Sequence, residues 1–184
     1  MTTAPATVTI PGYRAGTWKA DPVHCEIAFS IRQLMVSAVR ARFTGYDVTI
    51  VTSEDPLGSS VAATIDLASV DTGKQKRDNH LRSADILDVA KHPTMSYRST
   101  GIRQTNHGWV IDGELTLHGR TRLVPLAVNV NGFGPDPWGG QRAGFSGTAQ
   151  INRRDFGITI PMGGGGVVSN KVSISLKIEA VLQT

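Results

Sequence analysis

The chain is poor in the residues that most functional signatures need. A single cysteine, Cys25, rules out an internal disulfide, and its setting, DPVHC, lacks the small and apolar residues of a lipoprotein cleavage site. Cys25 therefore reads as a small buried apolar residue, with a reactive thiol beside His24 as the alternative. Five histidines, His24, His80, His92, His107 and His118, show no paired ligand spacing and no partner cysteines, so no structural metal is expected from the sequence. A site assembled in space is not addressed by spacing. No apolar run approaches the roughly 20 residues of a spanning helix. The opening MTTAPATVTIPGYRAG has neither a basic leader nor an apolar stretch, which predicts a cytoplasmic protein with a loosely ordered segment over residues 1–12. Neither charge dominates: 19 Lys plus Arg against 15 Asp plus Glu leave +4, weak for a nucleic-acid binder despite a pI of about 9.5.

Catalytic signatures are equally scarce. No Gly-x-Ser-x-Gly marks a nucleophile, and paired carboxylates are unmarked. The four glycines Gly163 to Gly166 have no Lys-Ser/Thr behind them, so they read as a hairpin loop and not as a phosphate cradle.

What the sequence does have is punctuation and alternation. Twenty glycines and nine prolines fall between apolar stretches, as in a chain of many strands joined by turns. Val172, Ile174, Leu176 and Ile178 share one face of VSISLKIEAVL, opposite Ser173, Ser175, Lys177 and Glu179. The same period runs through Val23, Cys25, Ile27, Phe29 and Ile31; through Tyr46, Val48 and Ile50; and through Val61, Ala63, Ile65 and Leu67. It returns in Met95 with Tyr97, in Trp109, Ile111, Leu115 and Leu117, in Val124 to Val130, and in Ala143, Phe145, Ala149 and Ile151. About eight antiparallel strands with one apolar stripe each make an all-β fold. Periodicity does not choose between two packed sheets and a closed barrel.

At 184 residues one domain is expected, with roughly 70% of the unfolded surface buried and no internal boundary. Two short helices are expected between the strands. Thr72-Gly-Lys-Gln75 has capping-box spacing, and LRSADILDVAKHP offers Ser83 as a cap before Pro93. A further helical turn is expected in RQLMVSAVRARF, where Leu34, Met35, Val36 and Val39 do not alternate.

The segment Lys74 to Leu81 is the densest in polar function. It reads either as a solvated helix face, with ion pairs from Arg77 to Asp78 or Asp85, or as a polar rim where Arg77 and His80 meet the head of a bound molecule. Here a family likeness enters. Arg77-Asp-Asn-His-Leu-Arg-Ser-Ala-Asp85, with Ile86-Leu-Asp and His92-Pro93, resembles the RDxHLxSxDFFD and YP signature of the YceI-like family of lipid-binding proteins. Asp21-Pro-Val-His24 with Ile27-Ala-Phe29 resembles its opening strand. Gly113 to Arg122 resembles its GxLTxxGxTR segment, and Gly144-Phe145 with Ile151 to Gly157 its closing block. The blocks run in order over about residues 13 to 181; Ile86-Leu87 stands where the family has an aromatic pair.

The resemblance implies an extended lipocalin-like antiparallel barrel of about eight strands with one or two short helices, holding a polyisoprenoid or quinone-like lipid and no other cofactor. An eight-stranded barrel is wide enough to be filled by side chains or to hold one small ligand. By carry-over the apolar wall candidates are Phe29, Leu81, Ile86, Leu87, Leu115, Leu117, Phe145 and Phe156, joined by Met95 and Tyr97 from the strand stripes. Met35, Met95 and Met162 suit a lining that adapts to a flexible chain. His24, Arg77 and His80 are the polar candidates, either for the ligand's head or for tying the helical segment to the sheet. A lipid carrier or store is the first functional reading. An enzyme acting on a lipid-like substrate with His24 or His80 as acid or base is the second, and a β-sandwich interaction module the third. The expected partner is a hydrophobic small molecule, with no nucleic acid and no integral membrane segment; a homodimer is compatible with the sequence.

Overall fold

The computed structural model describes residues 9–33, 37–160 and 168–184. Twelve strands carry the fold: β1 (Gly16–Ala20), β2 (Glu26–Gln33), β3 (Ser37–Phe43), β4 (Tyr46–Thr52), β5 (Ser60–Asp66), β6 (Val70–Asp71), β7 (Thr94–Thr105), β8 (Gly108–Leu117), β9 (Arg120–Leu123), β10 (Leu126–Pro135), β11 (Gln141–Asn152) and β12 (Val168–Leu182). All pairings are antiparallel. The ring runs β1-β4-β5-β7-β8-β10-β11-β12 and closes where Trp18, Lys19 and Ala20 pair with Leu182, Val181 and Ala180 of β12. The ring has eight strands, and its closure excludes the two-sheet sandwich.

The remaining strands are continuations. β12 pairs β2 through its first half and β1 through its last residues, so β1 and β2 are one strand broken by a turn. β3 with β4, β5 with β6, and β9 with β10 are interrupted in the same way. Two of these breaks, and the exits from β4 and β11, use one device. Asp21, Asp55, Asp66 and Asn152 each cap a single 3-10 turn, the side chain accepting the N–H two residues on, and proline follows two of the aspartates. The turn after Asp21 takes Val23 off the strand stripe and leaves it 84% exposed, against the alternation reading.

One α-helix, α1 (Gln75–Arg82), lies between β6 and β7. Its start is not the expected Thr72/Gln75 capping box. Lys74 holds the cap position without a side-chain bond, and the buried Asp78 carboxylate reaches back to accept from the Thr72 N–H at 2.8 Å and from its hydroxyl at 2.5 Å. The second expected helix is absent. Ser83 ends α1, and its carbonyl accepts from the N–H groups of Ile86 and Asp88 in a series of turns. These turns bury the adjacent Ile86 and Leu87 together. Val39 lies on strand β3, paired with Ile31, so the helical turn expected there is replaced by a hairpin strand; residues 34–36 lie outside the described residues.

Helix α1, the turn segment after it and the β8–β9 turn gather at one end of the barrel. The loops joining β4 to β5, β7 to β8 and β10 to β11 gather at the other, with the chain before β1. At the helix-bearing end the buried Arg153 donates to the carbonyls of Ile158, Ser169 and Val168 at 3.0 to 3.3 Å, tying the β11–β12 connection to itself. Burial pushes its guanidinium down from its ordinary value. Among the described residues no helix is long and apolar enough to cross a membrane.

Candidate functional site

The inward stripes do not fill the ring. A cavity of about 190 Å³ runs from mid-barrel towards the end opposite α1. Its walls are aliphatic and aromatic: Ile27, Val48, Ile50, Val61, Ala63, Ile65, Met95, Tyr97, Trp109, Ile111, Leu115, Leu126, Val128, Phe145, Ile174, Leu176 and Ile178. Thr52, Ser59, Ser146 and Gly147 complete the polar and small positions, and no Asp, Glu, His, Lys, Arg or Cys lines it among the described residues.

The polar groups that do enter are mostly spoken for. Tyr97 lies over Gly113, and its buried hydroxyl donates towards the carbonyls of Val124 at 2.8 Å and Ile111 at 3.3 Å. Burial pushes its phenol far above the usual tyrosine range. Beside the wall, the indole of the buried Trp18 donates to the Thr52 hydroxyl at 2.8 Å, which in turn donates to the Arg14 carbonyl at 2.7 Å.

The cavity's far end is closed by aromatics that the alternation did not single out. Tyr13 and Trp18 meet Phe133 edge-on at 5.2 and 5.4 Å, and Phe133 meets Phe145 at 5.8 Å. The Tyr13 hydroxyl donates to the Ser53 carbonyl and lies 3.3 Å from the Ser59 hydroxyl. Ile10 also lines the cavity, so residues 9–12 belong to the fold and not to a loose tail; residues 1–8 lie outside the described ones. Phe133 escaped notice because inward positions on β10 are even-numbered up to Val130. A register shift between Val130 and Gly132 switches the parity and turns Phe133 inward.

The sequence candidates divide. Met95, Tyr97, Leu115 and Phe145 line the cavity. Leu117, Ile86, Leu87 and Phe156 are buried in the same core without lining it, and by topology they occupy the helix-bearing end. Leu81 and Phe29 pack against that core while partly exposed, Phe29 tilted on Phe43 at 5.6 Å. Met35, Met162 and Gly163 to Gly166 lie outside the described residues.

None of the polar candidates reaches the cavity. Arg77 donates to the hydroxyl and carbonyl of Thr72 at 2.9 and 3.0 Å, and His80 lies 3.5 Å from Asp85 on the surface. Arg82, not singled out in the sequence, ties α1 to the carbonyls of Ala68 and Val70. Arg77→Ala should therefore lower the stability of the ligand-free protein by about 1 kcal/mol, some 2 to 4 °C in Tm, and leave binding of an apolar ligand unchanged. Thermal melts with a parallel ligand titration check both halves.

His24 sits outside the barrel, 2.8 Å from Asp21 and 3.3 Å from Glu179. The Arg142 guanidinium joins the same two carboxylates at 3.0 and 3.2 Å. The His24 bond first, and Arg142 second, hold the Asp21 carboxyl down at about 2. Because the folded value lies below the unfolded one of 3.8, the linked stability is full above about pH 4 and is lost as pH falls towards 2. The Tm difference between the parent and Asp21→Asn should shrink as pH falls through that interval, which melts from pH 4 to 2 check. Next to this cluster Cys25 is half-buried, its thiol donating to the Glu179 carbonyl at 3.3 Å. Burial pushes the thiol up, away from a reactive thiolate.

Among the described residues, two groups of three side chains come together in space with metal-ligand chemistry: Asp21, His24 and Glu179, and Asp88, His92 and His118. In the first the guanidinium of Arg142 already occupies the carboxylates.

The barrel is shared with known proteins. The model of the YceI-like domain matches residues 18–180. A UPF0312 protein of Pseudomonas aeruginosa is 39% identical over 161 residues, covering 87% of this chain and 83% of its own length. A UPF0312 protein of Vibrio cholerae is 38% identical over 162 residues, covering 86% and 82%. Among solved structures, the YceI protein of Campylobacter jejuni superposes with a TM-score of 0.72 at 24% identity, covering 100% of this chain and 99% of its own. A polyisoprenoid binding domain from Saccharophagus degradans superposes with a TM-score of 0.69 at 14% identity, covering 90% and 98%. With that match spanning most of the chain, and with relatives 38 and 39% identical over most of their own length, the chain belongs to the YceI-like family.

Proposed function

We propose that this chain binds a long apolar lipid of the polyisoprenoid or quinone class inside its barrel, and stores or carries it without transforming it. The observation that carries this reading is the lining. A cavity walled by aliphatic and aromatic side chains rewards burial of hydrocarbon, at about 2.5 kcal/mol for each 100 Å² of apolar surface hidden, before ordering costs. Among the described residues the same lining holds no group that exchanges protons near neutral pH, and Tyr97, its buried phenol, is pushed away from ionisation. His24 and His80, the acid–base candidates, lie on the outer surface. The Saccharophagus degradans domain of the same fold, described as polyisoprenoid-binding, supports the ligand class.

Entry is assigned to the end closed by Tyr13 and Phe133, because the opposite end is packed by Leu117, Phe156, Ile86 and Leu87. The test is organic extraction of the purified protein, followed by mass spectrometry and by titration of the extracted lipid back onto stripped protein. The expected result is an isoprenoid that rebinds, quenches Trp109 at the cavity wall, and is recovered unchanged after prolonged incubation. A chemically altered ligand would support the enzyme, and protein that neither yields nor takes up an isoprenoid would reject the proposal.

A further inference from the structure

We propose that Asp88, His92 and His118 form a binding site for a divalent transition-metal ion of the zinc class, at the helix-bearing end of the barrel and separate from the cavity. One ligand atom from each of the three side chains lies within 4.8 Å of those of the other two, and all three residues are half-buried. Zinc held at 2.0 to 2.1 Å by imidazole and carboxylate needs its ligands about 3.4 Å apart, so side-chain adjustment of the order of 1 Å closes the set. Two imidazoles and one carboxylate supply three ligands of a tetrahedral ion and leave the fourth position to water.

The surroundings are arranged as a metal site requires. The His118 Nδ1 lies 3.0 Å from the Phe156 carbonyl, which only accepts, so Nδ1 carries a proton, and in the neutral ring the lone pair offered to a ligand is that of Nε2. The His92 ring lies so near Gly119 that a Cβ there would stand 3.0 Å from its Cε1, and the two imidazoles are 5.0 Å apart. Asp88 and His92 are joined through one turn, the His92 N–H donating to the Asp88 carbonyl at 2.8 Å. Backbone conformation singles out the same residues. Asp88 at φ 51° and His118 at φ 55° are the non-glycine residues with left-handed backbone among those described, and both belong to this triad.

The contrast with the other group of potential ligands is electrostatic. Arg142 neutralises Asp21 and Glu179, whereas among the described residues the Asp88 carboxylate has no ion-pair partner and the His92 ring no hydrogen bond. An ion at Asp88, His92 and His118 would clip the turn segment carrying Ile86 and Leu87 to the β8–β9 turn, so bound metal should raise the melting temperature by mass action.

The test uses the full chain, free of any histidine tag, dialysed against a chelator and then titrated with zinc in competition with a chromophoric chelator. The parent should take up one equivalent and melt several degrees higher with zinc. His92→Phe, which keeps a ring over Gly119, and Asp88→Asn, which tolerates the left-handed backbone, should each weaken binding at least about tenfold. His24→Ala should bind as the parent does. Cobalt supplies a readout independent of stability, because a tetrahedral set with two imidazoles gives intense visible absorption, which His92→Phe should abolish while its circular dichroism stays that of the parent. A parent that takes up no zinc, a His92→Phe variant that binds undiminished, or binding abolished by His24→Ala would each overturn the proposal.

Discussion

Replacing Ala63 by phenylalanine should leave the ligand-free protein within about 1 kcal/mol of the parent while weakening uptake of a long isoprenoid at least about tenfold. Ala63 sits on β5 between Val48 and Tyr97 of the neighbouring strands, and its methyl group faces the cavity. A phenyl ring added there enters unfilled space, where new dispersion contacts offset the cost of ordering the side chain. It also occupies volume that the ligand's hydrocarbon would take. Leu117→Trp is the counterpart. Leu117 is buried but does not line the cavity, so the indole has no room and should cost about 1 to 3 kcal/mol without ligand. Denaturant melts of the two variants, with isoprenoid titrations by tryptophan quenching, separate a hollow half of the barrel from a filled one. If Ala63→Phe destabilises as much as Leu117→Trp, the interior is a packed core and the carrier reading fails.

That pair also marks what alternation could and could not reveal. Leu115 and Leu117 share the same parity on β8, and both point inward, yet only Leu115 borders the cavity. Parity states which face a side chain takes. Whether several such side chains meet or leave a void depends on what reaches the same volume from elsewhere, here Phe156 from the turn after β11 and Ile86 with Leu87 from the turns after α1. Breaks in strands were partly readable: Asp-Pro at 21–22 and 55–56 marks a turn, but alternation carried straight through Val23. The bulge that turns Phe133 inward has no signal in period two. His92 and His118 are brought together by long-range pairing, which a search for ligand spacing along the chain does not see. The family motifs had a different fate. Arg77, Asp78 and Arg82 in one block, and Arg153 in another, bond to nearby backbone or to Thr72, so those motif residues record how the barrel's helix-bearing end is held together.

Gly113→Ala should destabilise the protein by about 2 to 4 kcal/mol, the largest effect expected from so small a change. A Cβ at Gly113 would stand 2.4 Å from both Cζ and the hydroxyl of Tyr97 and 2.8 Å from the Arg98 carbonyl. The tyrosine cannot swing aside at low cost. It is buried, and its hydroxyl is committed to the Val124 carbonyl at 2.8 Å, so displacement both strains the ring and strands a buried polar group. Tyr97→Leu should relieve most of this conflict, and in that background the alanine should cost less than half as much. The residue of the cost reports the Arg98 carbonyl, which no side-chain change removes. Denaturant unfolding of the parent, both single variants and the double variant gives the coupling directly, and additive costs would show that the Tyr97 contact is not why glycine stands there. The same cycle bears on the cavity, since Tyr97 is part of its wall. If the ring is held in place by the room that Gly113 leaves, Gly113→Ala should push it towards the lumen, and isoprenoid uptake by the folded fraction should fall together with stability.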